Sequence, residues 1–164
     1  MVSLKSIKPE DFEAILKITG CPETMSMVGK GTIWSREQVA QFIRYATADD
    51  GKAVDPSEPK MYKKWAIWLS GQLVGVVSVH PVSYDNIGLF VTIFIGVNHV
   101  TSGVGTKAMQ KLLEWNSERS TRFNLYADVF VGNAAGNKLM RKVGFQYVGM
   151  IKIGRRHYNR YVTV

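Results

Sequence analysis

The feature that most constrains the fold is an apolar strand followed directly by a glycine turn and an amphipathic helix. Residues 89–95 read LFVTIFI, and such an unbroken apolar and β-branched run is typical of a strand covered on both faces at the centre of a sheet. Gly103 and Gly105 follow, and residues 108–115 then carry apolar side chains at helical spacing. The chain is therefore predicted to place a glycine turn where a central strand passes into a helix.

The segments around this unit show strand and helix patterns in turn. Helices are predicted after Pro9, after the capping-box pair Ser35 and Gln38, and over residues 135–143. Turn dipeptides at 70–71 and 154–155 favour antiparallel hairpins, so the pattern indicates one mixed α and β domain. Further strands are predicted at residues 2–8, 62–69, 72–79, 125–131, 145–153 and 156–162.

A single domain over residues 1–164 is expected, because this length suffices for one hydrophobic core. Residues 49–61 are rich in charge and turn formers, and we interpret them as an exposed loop within that domain. No apolar run approaches the roughly 20 residues of a membrane span, and the single cysteine, Cys21, excludes an internal disulfide. These observations favour a cytoplasmic protein.

The net charge of +8 lies entirely in the last part of the chain. Residues 103–164 hold eleven Lys and Arg against three acidic residues, Glu114, Glu118 and Asp128, which accounts for the whole excess. A basic surface of this kind attracts a phosphate-bearing cofactor, a nucleic acid or an acidic protein surface, and a solvated basic face is the structural alternative. Composition alone does not decide among these three partners and the solvated face.

The glycine turn offers a chemical reason for an anionic partner. Backbone N–H groups at the start of a helix are unpaired donors at the positive end of the helix dipole, and glycines let a phosphate approach them closely. The segment 103–108 also matches the dinucleotide pattern G-x-G-x-x-A. That alternative is disfavoured because such a loop normally follows the first strand of a parallel βαβ unit, whereas a predicted antiparallel hairpin precedes this one.

Four motifs together resemble the GNAT superfamily of N-acetyltransferases, and within it the branch that acetylates ribosomal-protein N-termini. They are Trp65-Ala66-Ile67, Leu73-Val74-Gly75, Gly103-x-Gly105 and the segment from Asn133 to Lys142-Val143-Gly144-Phe145. The resemblance covers nearly the whole chain. It implies an α+β fold with a central, mostly antiparallel twisted sheet of six to seven strands, about four flanking helices, and a splayed central strand pair that forms an acyl-CoA cleft.

The resemblance also implies how acetyl-CoA is held, with no metal involved. The cofactor pyrophosphate would bind to loop amides, the pantetheine arm and thioester would lie along the splayed strand, and a basic residue would reach the phosphates, with Lys107 and Lys142 as further candidates. The implied contacts are the loop residues Val100, Ser102, Gly103, Val104, Gly105 and Thr106, the strand residues Phe94, Ile95, Gly96 and Val97, the pantetheine contact Asn133, and Lys138 for the phosphates. Asn133 has an equally good structural role as a helix N-cap.

The chain departs from the family pattern where proton transfer is expected. The usual tyrosine acid falls at Met140, and the serine of the ribosomal-protein branch falls at Gly136, so neither position can donate a proton. An alkyl amine is mostly protonated at neutral pH and must lose a proton before it attacks. The titratable residues near strand ends that we consider for this step are Asp128, Tyr126 and His80, followed by Asp85 and His99.

Three functions follow from these observations. The leading one is an acetyl-CoA-dependent N-acetyltransferase acting on a primary amine, either a protein N-terminus or a small amine, and a catalytically silent acyl-CoA-binding regulatory module is the alternative. A nucleic-acid binder is disfavoured, because helix-turn-helix, zinc and single-strand-binding patterns are missing from the sequence. The acceptor cleft would include Glu23, Trp34, Tyr158 and Tyr161 by resemblance. The resemblance leaves a homodimer open.

Overall fold

A computed structural model describes residues 1–48, 53–55, 58–120 and 122–163. The strands are β1 Val2–Ser6, β2 Ala53–Asp55, β3 Glu58–Met61, β4 Lys63–Leu69, β5 Gln72–Pro81, β6 Gly88–Ile95, β7 Asn124–Phe130, β8 Gln146–Ile153 and β9 Arg156–Val162. The helices are α1 Phe12–Thr19, α2 Pro22–Met25, α3 Arg36–Ala48, α4 Val104–Ser117 and α5 Ala134–Lys142, and short 3-10 turns lie at Pro9–Asp11 and Val97–His99.

Seven of these strands form one sheet in the order β1-β4-β5-β6-β7-β9-β8. All neighbours in it are antiparallel except β6 and β7, which run parallel. The predicted α+β fold with a mostly antiparallel sheet is therefore confirmed. Within the described residues there is one helix more than expected, the four-residue α2, which Pro22 begins.

Local sequence explains the first hairpin and the start of α3. Ser70 and Gly71 both have positive φ, 48° and 82°, which is the conformation of a type I′ turn between antiparallel strands. At α3 the backbone N–H of Ser35 donates to Gln38 Oε1 at 2.8 Å, and the N–H of Gln38 donates to Ser35 Oγ at 3.2 Å. This reciprocal pair is the predicted capping box.

The sheet separates two hydrophobic clusters, and β6 contributes to both. Leu89 and Val91 belong to the cluster beneath α4 and α5, whereas Phe94 belongs to the cluster beneath α1 and α3. Because successive side chains of a strand point to opposite faces, this alternation requires apolar residues on both sides of β6. The unbroken apolar run in the sequence is thus explained.

The parallel strands β6 and β7 diverge soon after they begin. Within the described residues they pair only where Gly88, Leu89 and Phe90 face Asn124–Tyr126, and the rest of β6 has no strand partner there on that side. The following elements, α4 after β6 and α5 after β7, begin at the open end. The predicted splayed strand pair is present at the centre of the sheet.

The segment interpreted as an exposed loop lies partly outside the described residues. Positions 49–52 and 56–57 are among those not described, while the remainder forms the small antiparallel pair β2 and β3. In the part of the chain that the structure covers, no helix is both long and apolar enough to cross a bilayer.

Candidate active site

A cavity of about 330 Å³ opens between the diverging ends of β6 and β7. Its walls come from α2 and the segment after it, from the end of β6, from the turn before α4, and from the start of α5. The lining residues are Glu23, Thr24, Met27, Val28, Ile93, Ile95, Val97, Val100, Thr101, Gly103, Gly105, Thr106, Asn133, Ala135, Gly136, Lys138, Leu139 and Lys142.

The start of α4 presents unused backbone donors to this cavity. Gly103 precedes the helix with a φ of 81°, and the N–H of Lys107 makes the first helical bond, to Gly103 O at 3.2 Å. The amides of Val104, Gly105 and Thr106 lie before that bond and have no intrahelical acceptor. Among the described residues, none of the three donates to a loop carbonyl or a side chain. Three amides at the positive end of a helix dipole are thus available for an anion.

Gly105 is needed for close packing at the same place. A Cβ there would lie 3.0 Å from Ile95 Cδ1 and 3.2 Å from Leu139 Cδ2. An alanine at this position would therefore crowd these two terminal methyl groups, and a larger side chain would have to displace them or the start of α4. The glycine keeps the helix start against the cavity wall.

The open edge of β6 directs backbone groups into the cavity. Gly96 N donates to Val74 O at 2.8 Å, so this residue bonds towards β5. Because alternate residues of a strand direct their backbone groups to opposite neighbours, those of Ile93 and Ile95 point towards the gap left by β7. This edge can pair with an extended amide-bearing ligand.

Asn133 joins the start of α5 to the facing wall. Its Oδ1 accepts from Gly136 N at 2.9 Å, which caps the helix, and its Nδ2 donates to Met27 O at 3.4 Å. A Cβ on Gly136 would come within 2.9 Å of both Asn133 Cγ and Val129 Cγ1. The helix start is therefore too tightly packed for a serine at position 136, and both polar atoms of Asn133 are engaged.

The cavity carries opposite charges at different walls. The exposed Lys138 and Lys142 of α5 line it, whereas Lys107 does not. Glu23 in α2 is the one carboxylate that lines it within the described part of the chain. The same part contains no group of three or more His, Cys, Asp or Glu side chains able to hold a metal ion.

Most of the predicted cofactor contacts line the cavity, and four do not. Phe94 is buried on the other face of the sheet, with its ring 5.4 Å from that of Trp34, and Gly96 N is bonded to Val74. Ser102 Oγ donates to His99 O at 2.7 Å. The side chain of Val104 is buried in the core, so only its amide could serve a ligand.

The residues predicted for proton transfer lie elsewhere, and two of them are engaged. Asp128 accepts from Arg160 Nε and Nη2 at 2.8 and 3.0 Å, and its side chain is only 6% exposed. Tyr126 donates its hydroxyl to Asp85 Oδ2 at 2.8 Å, and desolvation together with this bond raises the Tyr126 pKa. Because only the deprotonated phenolate of Tyr126 can accept a proton, a raised pKa makes this residue a poor base near neutral pH.

His80 is exposed at the end of β5, with its ring 5.2 Å from that of Phe90. Partial desolvation and then the positive charge of Lys64 lower its pKa, so the imidazole is neutral at pH 7. It can accept a proton. It does not line the cavity, because it pairs with Phe90 at the level where β6 and β7 are still joined.

The residues expected in the acceptor cleft divide into two groups. Glu23 lines the cavity, whereas Trp34 does not and packs on Phe94 and Phe42 in the cluster beneath α1 and α3. Tyr158 and Tyr161 are buried, and Tyr161 is fully enclosed with its hydroxyl donating to Asn137 Oδ1 at 2.7 Å. Tyr161 is therefore a core residue and cannot contact an acceptor, contrary to the expectation from sequence.

Sequence reasoning missed part of the cavity wall. The residues concerned are Thr24, Met27, Val28, Ile93, Thr101, Ala135 and Leu139. Ala135 and Leu139 lie within the motif that runs from Asn133 to Phe145, whereas Thr24, Met27 and Val28 belong to no motif and reach the cavity only through tertiary packing. The alternation along β6 could have indicated Ile93, because it lies two residues before Ile95 and thus on the same face.

Residues 2–146 match the family model described as "Acetyltransferase (GNAT) domain". No curated protein sequence matches the chain.

Solved structures with low sequence identity share the fold across almost the full length. One is a GNAT-family acetyltransferase from Bacillus anthracis, with a TM-score of 0.78, 16% identity, and 98% of this chain and 92% of that chain covered. Another, from Salmonella typhimurium, modifies the N-terminal serine of the 50S ribosomal protein L7/L12, with a TM-score of 0.82, 14% identity, and 99% and 94% covered. A third is the microcin C7 self-immunity acetyltransferase MccE in complex with acetyl-CoA and AMP, with a TM-score of 0.81, 17% identity, and 99% and 92% covered.

Proposed function

The chain belongs to the GNAT acetyltransferase family and is an acyltransferase by that membership, and from this premise we propose that it transfers an acetyl group from acetyl-CoA to a primary amine. The acceptor class that we propose comprises protein N-termini and small amines. The structural neighbours that modify an N-terminal serine or bind acetyl-CoA support this proposal.

The observation that carries the proposal is the set of unused donors at the start of α4. The amides of Val104, Gly105 and Thr106 come together at a helix N-terminus and have no acceptor within the described chain. A diphosphate supplies several acceptor oxygens and negative charge, which this site requires. The residues present therefore fit the diphosphate of coenzyme A.

Further contacts follow from the cavity walls. Lys138 and Lys142 would attract the phosphates, and the backbone edge at Ile93 and Ile95 would pair with the amides of the pantetheine arm. Asn133 holds α5 and the facing wall together, because both its polar atoms already have partners. When bound, the thioester supplies the activated acyl carbonyl.

On the acceptor side, we assign Glu23 the role of attracting the protonated amine. An alkylammonium carries a positive charge at neutral pH, and Glu23 is the carboxylate that lines the cavity among the described residues. Asp128 stays ion-paired with Arg160, so it would have to leave that partner to accept a proton directly. His80 is neutral at pH 7 but does not line the cavity, so it has no direct contact with an acceptor bound there.

The proposal is tested first on the purified protein. Titration calorimetry with coenzyme A should give saturable binding, and release of free thiol from acetyl-CoA should rise with at least one amine in a panel of peptides and small amines. Absence of coenzyme binding at millimolar concentration would remove the proposal. The panel should include acidic, neutral and basic acceptors so that the acceptor class is read directly.

The role of Glu23 is tested by Glu23→Gln, which keeps the shape and removes the charge. The KM for the amine should rise about tenfold while the affinity for coenzyme A changes less than about twofold, because the carboxylate serves only the acceptor. Glu37→Gln is the matched control, because Glu37 is an exposed residue of α3 that does not line the cavity. Equal KM values for the wild type and Glu23→Gln would contradict this role.

A catalytically silent coenzyme-binding module is the second candidate, and two observations favour it. Met140, which takes the position of the usual acid, is 2% exposed in the core, and Gly136 has no room for a hydroxyl-bearing side chain. The thiol-release panel separates the two functions. Coenzyme binding with no turnover of any amine would favour the silent module.

A further inference from the structure

The segment of residues 26–31, here called the strap, connects α2 with the approach to α3. It has no helix or strand of its own, yet Met27 and Val28 line the cavity together with Ile93 and Ile95 of β6. Val28 also packs against the cluster beneath α1 and α3. The strap therefore forms a wall of the cavity that is separate from the glycine turn.

Side chains from the last third of the chain hold the strap by its carbonyl groups. Arg156 Nη2 donates to Ser26 O at 2.8 Å, and the hydroxyl of Tyr158 donates to Gly29 O at 2.7 Å. Asn133 Nδ2 donates to Met27 O at 3.4 Å. Two of these donors lie on β9, so the terminal hairpin fastens a segment more than a hundred residues earlier in the chain.

Arg156 is built into this contact. Its guanidinium lies 3.7 Å from the centre of the Phe130 ring and 5.8 Å from that of Tyr158, which fixes the orientation of the planar group. Gly31 lies against it with a φ of 81°, and a Cβ on Gly31 would collide with Arg156 Nη1. Glycine at position 31 therefore leaves the space that the Arg156 guanidinium occupies.

We propose that Arg156 and Tyr158 are positioning residues, which hold the strap so that Met27 and Val28 form the second wall of the coenzyme cavity. This inference rests on the proposed function of the cavity. Neither side chain lines the cavity, so both act through the strap. Without these bonds the Ser26 and Gly29 carbonyls would turn to water, and the wall would be free to move away from Ile93 and Ile95.

The test compares Arg156→Gln with Arg155→Gln, the same change at the exposed neighbouring residue of the hairpin turn. Arg156→Gln should weaken coenzyme A binding about fivefold to tenfold, because it removes a charged hydrogen bond, and Arg155→Gln should change it less than about twofold. Amide hydrogen exchange of the strap should be faster in Arg156→Gln than in the wild type and unchanged in Arg155→Gln, while exchange in α4 stays unchanged in both variants.

Two further variants test the same contact through other residues. Tyr158→Phe removes only the hydroxyl and keeps the ring against Phe130, so the fold is retained and strap exchange should rise. Gly31→Ala displaces the guanidinium from the strap side and should reproduce the effects of Arg156→Gln. The melting temperature is measured for each variant, so that strap exchange can be compared between proteins that are equally folded.

The outcomes are distinct. Equal weakening by Arg156→Gln and Arg155→Gln would show a general charge effect and overturn the inference, as would unchanged strap exchange in Arg156→Gln. A wild type with no affinity for coenzyme A would instead remove the proposed function, and the exchange measurements would still decide whether Arg156 holds the strap.

Discussion

The two ends of the β6–β7 strand pair differ in how their polar groups are satisfied. At the closed end, where the strands begin, Asp85 accepts from Ile87 N, Asn124 Nδ2 and the Tyr126 hydroxyl at 3.0, 2.9 and 2.8 Å. Asn124 N donates to Ile87 O at 2.8 Å. At the open end, the edge of β6 and the first amides of α4 face a cavity.

This contrast indicates that one end of the strand pair serves stability and the other serves ligand binding. Buried polar groups are normally paired within a protein, and a place where several point into a cavity indicates that a ligand completes the pairing. At the closed end the polar groups are hydrogen-bonded to one another without a ligand, so these bonds contribute to the stability of the sheet. Changes there should affect the free energy of unfolding, and changes at the open end should affect coenzyme binding.

The largest effect is expected from Gly105→Leu at the open end. The added side chain meets Ile95 and Leu139, whose nearest atoms already lie 3.0 and 3.2 Å from a Cβ at this position, and displaces the start of α4. Coenzyme A affinity should fall by about a hundredfold, because the displaced amides of Val104, Gly105 and Thr106 no longer meet the diphosphate together. Titration calorimetry measures the affinity.

Thr101→Leu is the control for added bulk, since Thr101 lines the same cavity but is exposed and lies before the helix. It should weaken binding much less. Equal affinity of Gly105→Leu and the wild type would mean that the start of α4 does not contact the coenzyme.

A smaller effect, of a different kind, is expected from Asp85→Ala at the closed end. Three donors lose their acceptor, so the free energy of unfolding should fall by about 2 kcal/mol, while coenzyme A affinity stays within about twofold. Urea denaturation and calorimetry measure the two quantities. A large loss of affinity with unchanged stability would reverse the assignment of the two ends.

The same carboxylate gives a pH test. The hydrogen bond from Asn124, followed by those from Ile87 and Tyr126, lowers the Asp85 pKa below its ordinary value of 3.8. The stabilisation is therefore present above that value and lost as the pH falls through the lower, folded-state pKa. Asp85→Asn should lose less stability than the wild type on acidification in this range.

The smallest effect is expected from His80→Gln, also at the closed end. The His80 pKa is lowered from 6.5 in the folded protein, so the unfolded chain takes up the proton first as the pH falls. The free energy of unfolding of the wild type therefore falls as the pH drops from about 6.5 through the lower pKa of the folded state. His80→Gln lacks this titration, so on acidification its melting temperature should fall by about one or two degrees less than that of the wild type. His157→Gln, an exposed change on β9, is the control. Identical acid sensitivity of all three proteins would contradict the prediction.

Much of the fold could be predicted from local patterns. The run at 89–95, the positive-φ turn at Ser70 and Gly71, and the capping box of Ser35 and Gln38 each depend on residues close in sequence. The segment at 49–61 was less informative, because turn formers and charge do not exclude the short pair of β2 and β3.

The candidate site was predictable where it depends on one segment. Gly103, Gly105 and Thr106 lie at the cavity because a glycine turn at a helix start creates its own donors. Two tyrosines were harder to predict: Tyr126, considered as a titratable residue near a strand end, and Tyr161, placed in the acceptor cleft by resemblance. Neither pattern indicates a hydrogen-bond partner from a distant segment. Asp85 and Asn137, 41 and 24 residues away, engage their hydroxyls.

The central apolar strand, the glycine turn and the helix that follows are predictable from local sequence, because periodicity and backbone conformation are properties of neighbouring residues. The family follows from motifs of the same local kind. Which polar groups stay available for a ligand is a property of the tertiary fold, since hydrogen bonding depends on residues brought together from distant segments. The tertiary fold brought the strap to the hairpin of β8 and β9, and so decided which residues form the second wall of the cavity.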